Sequence, residues 1–187
     1  QQRARPLCII RARHLDRAHD AAALRLLDRL GPRRAVRQVA ACRARRRPRI
    51  EVHARPTRDL DLVQDVQVVP DGVESVSQAI REAVATGARV ILTTGGTGVT
   101  PRDLTPEGTA PLLETRLEGL EAQVRSYGLA KTPLAGLSRG LVGVTSRGSS
   151  GALVVNAPGS RGGVKDTVAV IGPLVPHVLE QLGGSDH

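Results

Sequence analysis

Strand and helix signals alternate over residues 62–182 and predict an α/β fold, a three-layer sandwich with a mostly parallel central sheet. Three observations carry this prediction. Residues 89–94 and 152–156 are near-continuous apolar runs, which suit interior strands covered on both faces. Val73, Val76, Ile80 and Val84 recur at helical spacing before the first of these runs. Both runs end in glycine-rich loops, the edge at which open α/β sheets bind ligands.

The elements follow in order. Leu7-Cys8-Ile9-Ile10 reads as a short strand. Ala22, Leu26 and Leu30 place a helix over residues 21–30, ended by Gly31-Pro32. Residues 33–57 show no clean period and read as loop. Val66-Gln67-Val68-Val69 is a strand closed by Pro70-Asp71-Gly72. The helix begun at Val73 stops at Gly87, and residues 89–94 complete a βαβ unit. After the loop, Thr105 reads as a helix cap with Pro106 in the first turn. Leu112, Leu113, Leu117 and Leu120 extend an apolar stripe from there towards Tyr127-Gly128. Residues 133–144 alternate as two short strands. A last helix over about 163–182 is expected to bend or break near Pro173 and Pro176.

The chain has 187 residues, a net charge of +9, one Tyr, and no Phe, Trp or Met. Its core must therefore be built from Val, Leu, Ile and Ala. The lack of rings counts against nucleic-acid binding by base stacking. No apolar run approaches the roughly 20 residues of a membrane span. Residues 6–10 are too short for a signal peptide and Arg11 ends them. Cys8 and Cys42 make neither a disulfide framework nor a metal motif, as expected of reduced thiols in a cytoplasmic protein. The five histidines (His14, His19, His53, His177 and His187) belong to no catalytic pattern.

Charge divides the chain in two. Residues 1–60 hold 17 Arg, no Lys and five acids, a balance of +12. Residues 61–187 hold ten basic residues and 13 acids, a balance of −3. The expected organisation is thus an atypical Arg-rich segment, 1–60, followed by a domain, 61–187. Three readings of the Arg-rich segment stand: a basic arm on phosphate or a membrane surface, a solvated linker, or GC-rich DNA translated out of frame. Arginine without a single lysine favours the last, since an anion-binding arm has no reason to exclude Lys.

The chemistry is expected at the two loops. The first is Gly95-Gly96-Thr97-Gly98 and the residues to Asp103. The second is Asn156-Ala157-Pro158-Gly159-Ser160. Glycines let backbone N–H groups approach an anion, and the helices that follow turn their positive ends the same way. Neither loop is a Walker A or a dinucleotide-binding fingerprint. Asp71 and Asp103 follow predicted strands on the same edge. A carboxylate beside a polyphosphate is unfavourable unless it holds a cation, so the pair fits Mg²⁺. Equally, Asp71 can complete a turn and Asp103 can hydrogen-bond its own loop. Arg139 and Lys165 are candidates to offset phosphate charge.

The stretch from Leu92 to Gly98, then Pro101-Arg102-Asp103-Leu104-Thr105-Pro106-Glu107, Leu137-Ser138-Arg139-Gly140, and Val155 to Ser160, resembles the Mog/MoaB family of molybdenum-cofactor biosynthesis over about residues 66–187. The resemblance implies molybdopterin adenylyltransferase activity, with ATP and molybdopterin as substrates and Mg²⁺ as cofactor. The alternative it leaves is a non-catalytic pterin- or nucleotide-binding protein of the same fold. By resemblance, Asp71 and Asp103 are the catalytic, metal-binding acids. Gly95, Gly96, Thr97, Gly98, Ser138, Asn156, Pro158, Gly159 and Ser160 match substrate-binding positions. Other molybdenum-cofactor enzymes are implied partners, and a homotrimer or hexamer the implied assembly. Family members open with a strand, a Ser-Asp or Ser-Asn loop and an Asp-x-Ser-Gly-Pro helix start, and nothing in residues 7–60 matches that pattern.

Overall fold

The computed structural model describes residues 7–12 and 65–184. The helix expected over 21–30 and most of the Arg-rich segment lie outside the described residues. Among the described residues six strands form one sheet: β1 (Leu7–Ala12), β2 (Asp65–Val69), β3 (Val90–Thr94), β4 (Thr115–Arg116), β5 (Val142–Val144) and β6 (Leu153–Ala157), in the order β2-β1-β3-β6-β5-β4. Five α-helices of the described residues flank it: α1 (Val73–Ala85), α2 (Thr105–Thr109), α3 (Glu118–Leu129), α4 (Arg161–Ile171) and α5 (Val175–Leu182).

The α/β sandwich is as the sequence predicts, and four of the six described strands run the same way. Among the described strands β3 and β6 are parallel neighbours and the other neighbouring pairs are antiparallel. β2, β3, β4 and β6 all run the same way, but β1 and β5 run against them and separate them. The functional consequence survives, because β2, β3 and β6 still end on one edge of the sheet and β5 begins there.

Alternation along the two central strands builds two cores. Ile91 and Val154 face one side, against Val76, Ile80 and Ala83 of α1. Val90, Leu92, Leu153 and Val155 face the other, against Ile171, Val175 and Leu179. Each fully buried aliphatic side chain contributes about 1.5–3 kcal/mol, so the sheet is held from both faces without a single ring. α1 ends where Gly87 takes φ +82°, a left-handed turn that a glycine makes without strain.

Three local expectations are corrected. Thr105 does not cap α2. It is the first helical residue, and its hydroxyl donates instead to Gly95 O at 3.0 Å. The stripe Leu112 to Leu120 is not one helix. Pro111 lies in a single 3-10 turn after α2, and Leu113 is extended. Leu112 and Leu113 pack with the α1 core and Leu117 and Leu120 with the opposite core, so the chain rounds the sheet edge at β4. Residues 133–144 give one strand, not two, because Pro133–Leu137 is a 3-10 helix. The break in the last helix occurs as expected, at the 3-10 turn Gly172–Leu174 between α4 and α5.

Candidate functional site

The parallel pairing of β3 with β6 brings the two glycine-rich loops together. Gly95 N donates to Ala157 O at 3.1 Å, and the Thr94 hydroxyl donates to Pro158 O at 3.2 Å. The loops therefore leave the sheet locked side by side. They open on one cavity of about 700 Å³. Asp71 reaches it from the end of β2, Asp103 from the β3 loop, and Ser138 from the turn before β5. Of the expected site residues, Asp71, Asp103, Gly95, Gly96, Thr97, Gly98, Ser138, Pro158, Gly159 and Ser160 all line this cavity.

The first loop needs its glycines for shape. Gly96 sits at φ +62°, and a Cβ there would collide with the Thr105 hydroxyl, the group that ties the loop to α2. Thr105 N donates back to Gly96 O at 3.1 Å. The second loop ends in a formed cap: Ser160 Oγ accepts from Gly163 N at 3.0 Å. A hydroxyl oxygen that accepts one bond still has its O–H to give. The first-turn residues Gly162 and Gly163 of α4 also border the cavity, so the positive end of an 11-residue helix faces it. The matching expectation for the first loop fails, because α2 has five residues and no comparable dipole.

Asn156 is the expected site residue that does not line the cavity. It is 4% exposed. Its Nδ2 donates to the Thr93 hydroxyl at 2.9 Å and the Thr109 hydroxyl at 3.1 Å, and its Oδ1 accepts from Leu141 N at 3.3 Å. The amide is occupied in binding β6 to β3, α2 and the start of β5.

The two acids behave differently. Asp103 Oδ2 accepts from Thr100 N at 2.9 Å and from the Thr100 hydroxyl at 2.7 Å, so this carboxylate does shape its own loop. Asp71 is pushed above the ordinary Asp range, first by burial and then by the Asp103 charge; Arg102 opposes this. A carboxylate pushed up by burial and by a second carboxylate beside it is an arrangement that a cation relieves. No cluster of three or more His, Cys, Asp or Glu occurs among the described residues, so any such ion would lean on these two acids and on its ligand's oxygens.

Arg139 is placed otherwise than a phosphate-facing cation. Its guanidinium donates to Gly98 O at 2.7 Å, to Asp103 O, and to the Glu107 carboxylate. That contact holds Glu107 below the usual carboxylate range. Lys165 is exposed on α4 and does not line the cavity.

The far wall holds groups that motif reading passes over. Lys131 pairs with Asp166 and sits 4.0 Å over the Tyr127 ring. The bond to Asp166 raises the Lys131 ammonium above its usual value. Val124, Leu134 and Leu137 supply apolar surface beside them. One signal was available, since Lys131 is one of just two lysines in an Arg-dominated chain. Asp166 carried none, because its distance from Ser160 along α4 matches no motif.

A family model described as a probable molybdopterin binding domain matches residues 61–177. The chain belongs to that family. Among solved structures, the Mog protein of molybdopterin biosynthesis from Mycobacterium ulcerans is 42% identical with a TM-score of 0.57, over 62% of this chain and 72% of that one. A molybdopterin adenylyltransferase from Pyrococcus furiosus is 36% identical over 61% of this chain and 68% of its own length. Gephyrin from Dictyostelium discoideum is 37% identical over 64% of this chain but 16% of its own length. The molybdopterin binding domain thus spans only a small part of several larger curated relatives. No helix among the described residues is long and apolar enough to cross a membrane.

Proposed function

We propose that this chain serves molybdenum-cofactor biosynthesis by transferring the adenylyl group of ATP to molybdopterin. The observation that carries the reading is the convergence of both glycine loops, Asp71 and Asp103 on one cavity. The terminal phosphate of molybdopterin attacks the α-phosphorus of ATP, a new P–O bond forms, and pyrophosphate leaves. Little covalent chemistry falls to the protein, which aligns two anions and offsets their repulsion. The amides of residues 96–98 and of Gly162 in the first turn of α4 hold phosphate oxygens. The apolar far wall takes a ring system and excludes water. Mg²⁺, held by Asp71 and Asp103, would supply charge neutralisation at the phosphates. The residue pair fits such an ion, since burial and mutual repulsion leave it short of positive charge.

The test is pyrophosphate release from ATP that requires both molybdopterin and Mg²⁺ and falls by about 100-fold or more in Asp71→Asn. No release from folded wild-type protein sinks the catalytic reading. The second reading, a binding protein without turnover, is favoured by the bonds that tie Asp103 to Thr100 and by the missing N-terminal motif. It predicts calorimetric pterin or nucleotide binding with no pyrophosphate released. A trimer or hexamer and a cytoplasmic location remain part of the proposal. Sedimentation of the purified chain measures the first.

A further inference from the structure

Arg139 gives two of its guanidinium nitrogens to one loop and the third to the helix that follows it. Nε donates to Gly98 O at 2.7 Å, Nη2 donates to Asp103 O, and Nη1 donates to Glu107. Its own backbone N donates to Thr97 O at 2.9 Å. Gly98 and Asp103 are the two ends of the excursion that carries the Asp103 carboxylate, and Glu107 is in the first turn of the helix that follows. A single planar fork therefore closes the excursion at both ends and fastens it to α2.

The rest of the surroundings fit this task. Within the excursion the bonds are local: Thr100 to the Asp103 carboxylate, and Asp103 N to Thr100 O at 2.9 Å. They set the loop's shape. Thr105 fixes the base of the loop through Gly95 and Gly96. Arg139 spans from the β5 side of the cavity to both Gly98 and Asp103. The turn that presents Arg139 is itself pinned. A Cβ at Gly140 would run into Asn156 O, so this turn lies directly on β6.

The geometry points to Arg139 as a positioning residue that holds the Gly98–Asp103 excursion, and with it the Asp103 carboxylate, in register with the second loop, rather than as a cation that binds phosphate. Glu107 orients the fork. At a half-exposed site its charge pairing adds little by itself. Lysine cannot replace the arginine here, because one ammonium on a flexible stem does not bridge two carbonyls and a carboxylate at fixed angles. This deepens the function proposed above for the same loops, and its kinetic test rests on that reading.

The experiment compares Arg139→Lys and Arg139→Gln in the full chain by two measurements. Amide hydrogen exchange reports the loop directly and needs no turnover. Residues 97–104 are expected to exchange about tenfold faster in both variants, with β6 amides unchanged. Pyrophosphate release reports the site. kcat is expected to fall by a similar factor, about 10- to 100-fold, in both variants, because a small displacement of the acid is enough. The proposal is overturned if loop exchange equals wild type in both variants. It is overturned equally if Arg139→Lys keeps kcat within threefold of wild type while Arg139→Gln loses it, the pattern of a direct phosphate contact. Glu107→Ala guards against misfolded arginine variants: faster loop exchange supports the clamp and unchanged exchange overturns it. If the wild type releases no pyrophosphate, the adenylylation reading fails while the exchange result still decides this one.

Discussion

Asp71 and Asp103 line one cavity, and that sets the behaviour of Asp71 with pH. The Asp71 pKa is raised by burial first and by Asp103 second. Its ionisation therefore works against the folded state. Stability from this group is full below the unfolded value of 3.8 and is lost as pH rises through the folded value. Asp71→Asn should accordingly melt higher than wild type at neutral pH in the presence of a chelator, and the gap should close on acidification. Thermal denaturation between pH 4 and 7 measures it, and a gap that widens towards acid contradicts the assignment. Glu107 works the other way: its pKa is lowered by Arg139, so its contribution is present above 4.5 and disappears as pH falls through the folded value.

Asn156 is expected by resemblance at a substrate-binding position, and the structure holds its side chain in the core. It does not line the cavity and has three hydrogen-bond partners, Leu141, Thr93 and Thr109. Asn156→Ala would leave Leu141 N without its acceptor and open a void, costing about 2–4 kcal/mol. Urea denaturation should show that loss. Nucleotide affinity per folded molecule should stay within about threefold of wild type; a larger loss with unchanged stability would restore the residue to the binding site.

At the scale of elements, what the sequence disclosed depended on whether the cause was local. The runs that became β3 and β6, the turn at Gly87 and the break near Pro173 all follow from short-range chemistry. The division of the Leu112–Leu120 stripe between two cores did not, because helical spacing looks the same whether or not the chain crosses a sheet edge midway. The antiparallel placement of β1 and β5 depends on long-range pairing that no local pattern records. Likewise Arg139 was visible as a nearby cation, while its partners at Gly98, Asp103 and Glu107 required the fold. The glycines allow a paired check. Gly96→Ala places a Cβ at φ +62° against Thr105 and should cost about 2 kcal/mol or more, with loss of nucleotide binding. Gly119→Ala, in α3 with open space around it, should add about 0.5–1 kcal/mol. Equilibrium unfolding of the two variants separates a shape requirement from a helix preference.

For the whole molecule the question is where the folding unit begins. The charge balance suggests a boundary near residue 61, and the proposed domain is 61–187. Yet β1, from the Arg-rich side of that boundary, lies between β2 and β3 and is paired with each through five register positions. β3 is interior, with side chains packed into both cores. Without β1, one edge of β3 would expose its N–H and C=O groups and β2 would lose its pairing with β1. Each forfeited hydrogen bond costs about 0.5–1.5 kcal/mol net, against a total stability of about 5–15 kcal/mol. Deleting residues 1–12 is therefore expected to abolish cooperative unfolding or to lower the midpoint sharply, as followed by circular dichroism in urea. Retention of the full-length midpoint would mean instead that the sheet closes without β1. Nucleotide binding should follow the same outcome, because the β3 loop can cradle phosphate only while β3 is held in the sheet.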